Sequence, residues 1–320
     1  MAKAARTRPT VELHKKYRPK TLKDFKGNPI VKRTLQSHIK KNSLPHAILL
    51  SGPFGCGKTT LARILASQLN CSDFDLNEVD TADYTGIENI RDIRKHMHHR
   101  PMKGSSRVWI LDECHKLSKP AMSAILKALE EPPEHVYFFL CTTDPEQLLP
   151  TIKSRCTNLH VNTLNENAMV SLLKEVIEKE KVKVPDDVLT QVAQDSLGHP
   201  RDALKILTSV IALESPKAML KMAKTRAAEV NQTIELCRAL TNSKSTKWTD
   251  IAKILSGLQE EPETIRYSIL GYFNTVLKNG SPAIAVPVLE NFKDPMFYSK
   301  HAGLSLAAYK AYVGIRKENS

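Results

Sequence analysis

The stretch Ser51-Gly52-Pro53-Phe54-Gly55-Cys56-Gly57-Lys58-Thr59-Thr60 narrows what this chain can fold into more than any other. Its spacing, G-x-x-x-x-G-K-[ST], is that of a phosphate-binding loop, which needs a strand in front and a helix behind. Both flanks comply. Ala47-Ile48-Leu49-Leu50 reads as a buried parallel strand, and Leu61, Ile64, Leu65 and Leu69 recur at helical spacing. Gly52, Gly55 and Gly57 admit backbone angles closed to other residues, so successive N–H groups can turn inward on an anion. The positive end of the following helix dipole faces the same point. In such a loop Pro53, Cys56 and Thr60 complete a cradle for ATP, Lys58 reaches the β- and γ-phosphates, and the Thr59 hydroxyl holds Mg²⁺. A glycine-rich turn before a core helix is the bland alternative, and residues downstream weigh against it.

Arg107-Val108-Trp109-Ile110-Leu111-Asp112-Glu113 is an apolar strand that ends in two carboxylates. Open α/β sheets keep their ligands at this end of a strand. Asp112 is placed to hold the Mg²⁺ shell and Glu113 to polarise an attacking water. The intervening and following segments alternate in character. Leu76–Asp80 reads as a second strand, and a charged helix runs from about Ile87 to His99. A helix capped by Ser118 runs through Leu129, where Pro132-Pro133 stops it. Val136–Cys141 and a short segment around Leu159–Val161 are further strands. The alternation predicts an α/β fold with a parallel sheet covered on both faces. From Asn165 the chain changes to short amphipathic helices, and beyond Ser215-Pro216 it stays helical without a chemical motif.

At 320 residues there is room for two or three domains, and 41% apolar with 25% charged residues is an ordinary globular composition. The net charge of +13 favours a polyanionic partner. No apolar run approaches a membrane span and the N-terminus lacks a signal-peptide core, so an intracellular setting without membrane contact is expected. None of the six cysteines forms a C-x-x-C pair, which points to a reducing compartment. His96, His98 and His99 crowd together, but no cysteine or carboxylate pattern completes a metal site, and a solvated helix end is the better reading.

In this order the pieces resemble the clamp-loader ATPase subunits of the AAA+ superfamily, which place sliding clamps on primed DNA. The wording Leu129-Glu130-Glu131-Pro132-Pro133-Glu134-His135-Val136, with Thr142-Thr143-Asp144-Pro145 and Ser154-Arg155-Cys156, is especially similar to the bacterial gamma/tau subunit. The resemblance is dense from Tyr17 to about Leu213 and extends further only by helical character. It implies an AAA+ parallel-sheet nucleotide-binding domain over 1–162, a helical lid over 163–215 and an all-α collar for oligomerisation over 216–320. It also implies roles. Tyr17, Arg18 and Pro19 match the motif beside the adenine, and Phe25, Lys26 and Gly27 the segment after it. Thr143 matches sensor 1, Arg155 the arginine finger given to a neighbour's ATP, and Arg201 the sensor 2 of the subunit's own site.

The partners implied are a sliding clamp, companion subunits in a pentameric spiral, and primer–template DNA. Helix N-termini facing the spiral interior would track DNA phosphates. The matching residues are Thr85 and Gly86 before one helix and Lys116, Ser118 and Lys119 before another, with Arg91, Arg94 and Lys95 adding charge. One departure stands out. Bacterial gamma/tau subunits carry a four-cysteine zinc module after the phosphate-loop helix, whereas Asn70-Cys71-Ser72 runs on with one cysteine. With no tau-like extension after the collar, a compact loader such as a phage's is expected, acting in a prokaryotic or phage-infected cytoplasm. Two rivals stay open: another AAA+ DNA machine, such as a helicase loader or branch-migration motor, and a non-hydrolysing structural subunit.

Overall fold

Strands buried on both faces have to be apolar nearly throughout. This is how β1 (Ala47–Ser51), β3 (Ser106–Asp112) and β4 (Val136–Thr142) are composed. In the computed structural model they form the middle of a five-stranded sheet of order β2-β3-β4-β1-β5, with β2 spanning Cys71–Asp80 and β5 Thr157–His160. Every pairing is parallel. The residues described are 12–81, 86–230, 232–243, 245–258, 262–278, 280–296 and 299–318. They separate into two compact units: Arg18–Leu164, and the described residues before Arg18 together with those from Asn165 onward.

Side chains alternate across the sheet, so each strand serves two cores. Leu49, Trp109, Leu111, Phe138 and Leu140 face one layer. That layer comes from α4 (Ile87–His96), α5 (Lys119–Glu130) and α6 (Pro150–Arg155), through residues such as Ile90, Ile93, Ile125, Leu129 and Ile152. Ile48, Leu50, Val108, Ile110 and Phe139 face the other, built on α2 (Pro29–Lys40) and α3 (Lys58–Gln68). The α/β sheet covered on both faces is therefore as expected.

Local chemistry sets the ends. The Ser118 hydroxyl accepts the Ala121 N–H at 3.3 Å and caps α5, as its sequence implied. Helix α4 stops at His96, short of the expected His99, because the Arg107 guanidinium takes the His96 and Arg100 carbonyls. The second strand is longer than Leu76–Asp80, starting at Cys71 and slipping register before Leu76. Around that slip Asp75 turns inward, fully buried, and accepts from the N–H groups of Met102 and Lys103, the Ser72 hydroxyl and Arg107.

The other unit is helical: α1 (Leu13–Lys16), α7 (Glu166–Glu180), α8 (Asp186–Asp195), α9 (Pro200–Val210), α10 (Pro216–Val230), α11 (Gln232–Thr241), α12 (Trp248–Gly257), α13 (Pro262–Lys278), α14 (Pro282–Phe292) and α15 (Lys300–Glu318). Helices α1 and α10 pack on α9. From α11 onward the helices share a core that includes Leu236, Ile265, Ile269, Phe273, Val288 and Phe292. Among the described residues no helix is long and apolar enough to cross a membrane. All six cysteines are free thiols.

Candidate nucleotide site

The strand order places β1 between β4 and β5. The chain leaving β1 crosses toward β2 and that leaving β4 crosses the opposite way, which opens a crevice at their C-terminal ends. Register aligns the ends: Ser51 lies opposite Thr142 and His160, and Asp80 opposite Asp112. The loop 52–57 fills this crevice and delivers Lys58 as the first residue of α3.

Two glycines are obligatory there. A Cβ on Gly52, at φ 147°, would sit 2.1 Å from the Val161 carbonyl oxygen. One on Gly57, at φ 106°, would meet the Phe25 ring at 2.9 Å. Phe25 is thus a buried backing for the loop. Pro53, Gly55, Thr60, Lys26 and Gly27 are half-buried nearby in the chain, and Cys56 is buried with its thiol pushed up by that burial.

Lys58 is 5% exposed, and its Nζ donates to the carbonyls of Gly52 at 2.8 Å and Pro53 at 2.9 Å. No ion-pair partner lies within 4.0 Å of it among the described residues, and the buried ammonium is held by the two loop carbonyls. Thr59 Oγ1 donates to Asp112 Oδ2 at 2.7 Å. Burial pushes the Asp112 carboxyl above its ordinary range, with the neighbouring Glu113 charge adding and Thr59 opposing. A half-buried carboxylate pair beside a hydroxyl and a buried lysine is a donor set suited to Mg²⁺ and a polyphosphate.

Glu113 occupies the left-handed region at φ 49°, an unusual place for a non-glycine residue. Its Oε2 accepts the Thr143 hydroxyl at 3.0 Å and lies 3.4 Å from His115 Nδ1. Thr81, fully buried at the end of β2, donates its hydroxyl to the carbonyls of Asp112 at 2.9 Å and Glu113 at 2.7 Å. Lys58, Thr59, Asp112, Glu113 and Thr143 therefore converge. Nothing in the sequence marked Thr81 or His115, and Thr142 stood out only as part of the Thr142-Thr143-Asp144-Pro145 wording; their contacts arise only from strand register.

Other expected residues lie elsewhere. Arg155, exposed at the end of α6, donates Nε to Glu130 at 2.5 Å and Nη1 to the Thr151 carbonyl at 2.9 Å. Cys156 after it is buried, its thiol pushed up to about 12 by desolvation. Arg18 and Pro19 begin the sheet unit. Tyr17 belongs to the helical unit, where its hydroxyl donates to Glu180 at 2.6 Å. Arg201, exposed in the first turn of α9, belongs there too.

Of the expected DNA contacts, Thr85 lies outside the described residues. Gly86, Lys116 and Lys119 are exposed, and Ser118 is occupied as a cap. Arg91 pairs with Glu88 at 2.6 Å and Lys95 with Asp92 at 3.6 Å. Both line a cleft with Arg94 and Lys127. His96 bonds the Asp92 carbonyl, and no metal-holding cluster of His, Cys, Asp or Glu occurs among the described residues.

A family model described as DNA polymerase III, delta subunit, matches residues 27–85 and 75–165. DNA polymerase III subunit tau/gamma of Haemophilus influenzae is 36% identical over 222 residues, covering 63% of this chain and 32% of that protein. DNA polymerase III subunit tau of Bacillus subtilis is 30% identical over 304 residues, covering 88% of this chain and 54% of that one. The chain thus spans about a third to about half of the length of these two relatives. The RuvB Holliday junction branch migration motor of Thermotoga maritima superposes with a TM-score of 0.62 at 21% identity, over 81% of this chain and 91% of that one. At that identity the likeness is one of fold.

Proposed function

We propose, for a chain that belongs with the DNA polymerase III gamma/tau subunits in the AAA+ clamp-loader family, that it is an ATPase subunit of a sliding-clamp loader. The observation that carries the reading is the convergence of Lys58, the Thr59–Asp112 pair and the Glu113–Thr143 pair at one sheet edge. A scaffold subunit without hydrolysis has no use for a strained, hydrogen-bonded Glu113 beside an intact Lys58.

In this reading the loop N–H groups, with Lys58, bind the phosphates of ATP, and Thr59 and Asp112 hold Mg²⁺. The metal supplies charge neutralisation at the phosphates. Glu113 orients and polarises the attacking water, while Thr143 keeps the carboxylate turned toward it. Tyr17, Arg18, Pro19, Phe25, Lys26 and Gly27 enclose the base side. The family resemblance assigns Arg155 the role of arginine finger and Arg201 that of sensor 2. The division of labour follows 1–162 for nucleotide, 163–215 for the lid and 216–320 for the collar, in a cytoplasmic complex with a clamp and companion subunits. Gly86, Lys116, Ser118 and Lys119, with Arg91, Arg94 and Lys95, are the residues offered to the DNA backbone.

The test is ATP turnover by the full chain with its companion subunits, measured with primed DNA and clamp, separately and together, across a salt series. Stimulation by both is expected, and the DNA effect fades steeply with salt because phosphate contacts release counterions. Turnover indifferent to DNA and clamp would leave an ATPase with another task.

A further inference from the structure

Among the buried polar groups at the sheet edge, His115 has a place that the roles above do not use. It sits in the short turn Cys114–Lys116 that follows β3, and it is 8% exposed. Its Nδ1 lies 3.0 Å from Thr142 Oγ1 and 3.4 Å from Glu113 Oε2. We infer that His115 is a positioning residue for hydrolysis, its imidazole spanning Thr142 and Glu113 so that the Glu113 carboxylate is held in line to activate water. The inference rests on the reading of Glu113 as the water-activating group.

Hydrogen bonding on the Nδ1 side favours one tautomer. A threonine hydroxyl has one proton and two acceptor sites. Thr142 Oγ1 accepts the Asp144 N–H at 3.1 Å, which leaves one acceptor site and its own proton. If that proton went to Nδ1, the ring would turn a lone pair toward a carboxylate oxygen 3.4 Å away. With the proton on Nδ1, one N–H serves both oxygens. Glu113 Oε2 then takes two donors, the Thr143 hydroxyl and the imidazole N–H, from residues that follow two different strands. The contact at 3.4 Å is longer than a strong hydrogen bond, so it aims the carboxylate without locking it.

The backbone is arranged to the same end. Left-handed geometry at Glu113 costs about 1 kcal/mol or more and is held by the Thr81 hydroxyl on the Asp112 and Glu113 carbonyls. That turn swings the Glu113 side chain toward β4, where Thr143 and the Thr142–His115 pair receive it. The proximity to Glu113 is what assigns the further role.

The experiment compares His115→Leu, His115→Asn, Thr142→Val and Glu113→Gln in the full chain, by single-turnover hydrolysis with enzyme in excess. Each is paired with the Kd of a non-hydrolysable ATP analogue and the thermal midpoint. Asparagine places an N–H where Nδ1 stands; leucine fills the space without a donor. Misorienting the water-activating group should slow hydrolysis by about 10- to 100-fold in His115→Leu, with Kd within about two-fold of the parent. His115→Asn should recover most of the rate. Thr142→Val, which frees the ring but keeps it, should fall between, and it carries the test if His115→Leu does not fold. Normal hydrolysis in both His115→Leu and Thr142→Val overturns the inference, as does a loss of rate matched by a loss of nucleotide affinity. Near-normal hydrolysis in Glu113→Gln instead overturns the reading of Glu113 itself.

Discussion

Lys58 and Glu113 stand at the same end of the sheet, and in the proposed reading they act on different properties of a bound nucleotide. Lys58 carries a buried charge whose partners are two loop carbonyls, so its contribution is to affinity for an anion. Glu113 is held by a hydroxyl and an imidazole, so in the same reading its contribution is to the fate of water. Substituting Glu113→Gln should keep ATP binding and lower hydrolysis at least about 100-fold, the scale of a lost general base. Lys58→Ala should lose binding and hydrolysis together. Filter binding of labelled ATP beside a phosphate-release assay separates the two, and near-normal turnover in both variants would sink these assignments. Motif spacing makes Lys58, Thr59, Asp112 and Glu113 readable from sequence, because their local chain geometry is short-range. Thr81, His115 and Thr142 are not readable that way. Their contacts exist only once the ends of β2, β3 and β4 are brought level.

The edge of the sheet shows the same limit at the scale of elements. Alternation of apolar runs with amphipathic helices made the parallel sheet legible, and Ser118 announced the start of α5. Asp75, by contrast, looks like one more acidic residue in a polar stretch, yet it is the fixed point of the chain between α4 and β3. Burial alone would raise its carboxyl, but the N–H groups of Lys103 and Met102, with Ser72 and Arg107, outweigh that and hold it well below the usual range. A depressed folded-state pKa contributes stability that is present above the unfolded value, about 4, and lost as pH falls below it. Asp75→Ala leaves the buried Arg107 guanidinium without its carboxylate and should cost about 3 kcal/mol, read as a lower urea midpoint with the slope unchanged. The stability gap between the parent and Asp75→Asn should be steady from pH 7 to about 5 and narrow below about 4. A gap that widened in acid would contradict the sign. Because Asp75 lies well before Asp80, which marks the C-terminal end of β2 level with Asp112, nucleotide affinity in Asp75→Asn at pH 7 should stay near that of the parent.

At the scale of the whole molecule, Arg155 is a cation that the chain's own site does not explain. Arg155 is exposed, and its partners among the described residues, Glu130 and the Thr151 carbonyl, lie within its own sheet unit. An ion pair at this exposure is worth about 0.2–1 kcal/mol, so exchanging Glu130 for a phosphate on another subunit is an easy step. A guanidinium supplied in trans would make hydrolysis depend on assembly, and its effect on transition-state charge is on the order of 10³-fold or more. Arg155→Ala should therefore leave the subunit's own ATP affinity unchanged while lowering turnover of the assembled complex. Lys58→Ala disables the site but keeps the finger. When the two variants are mixed, an intact site regains an intact finger wherever an Arg155→Ala subunit has a Lys58→Ala subunit as its finger-giving neighbour. With equal mixing and random assembly, that arrangement occurs at about a quarter of the contacts between such subunits, so turnover should rise to a clear fraction of the parent's. The measurement is phosphate release against mixing ratio at constant total protein, which should peak near equal parts. A straight line between the two single-variant values would mean that Arg155 serves its own subunit or none, and the pairing with Glu130 would then be its final state.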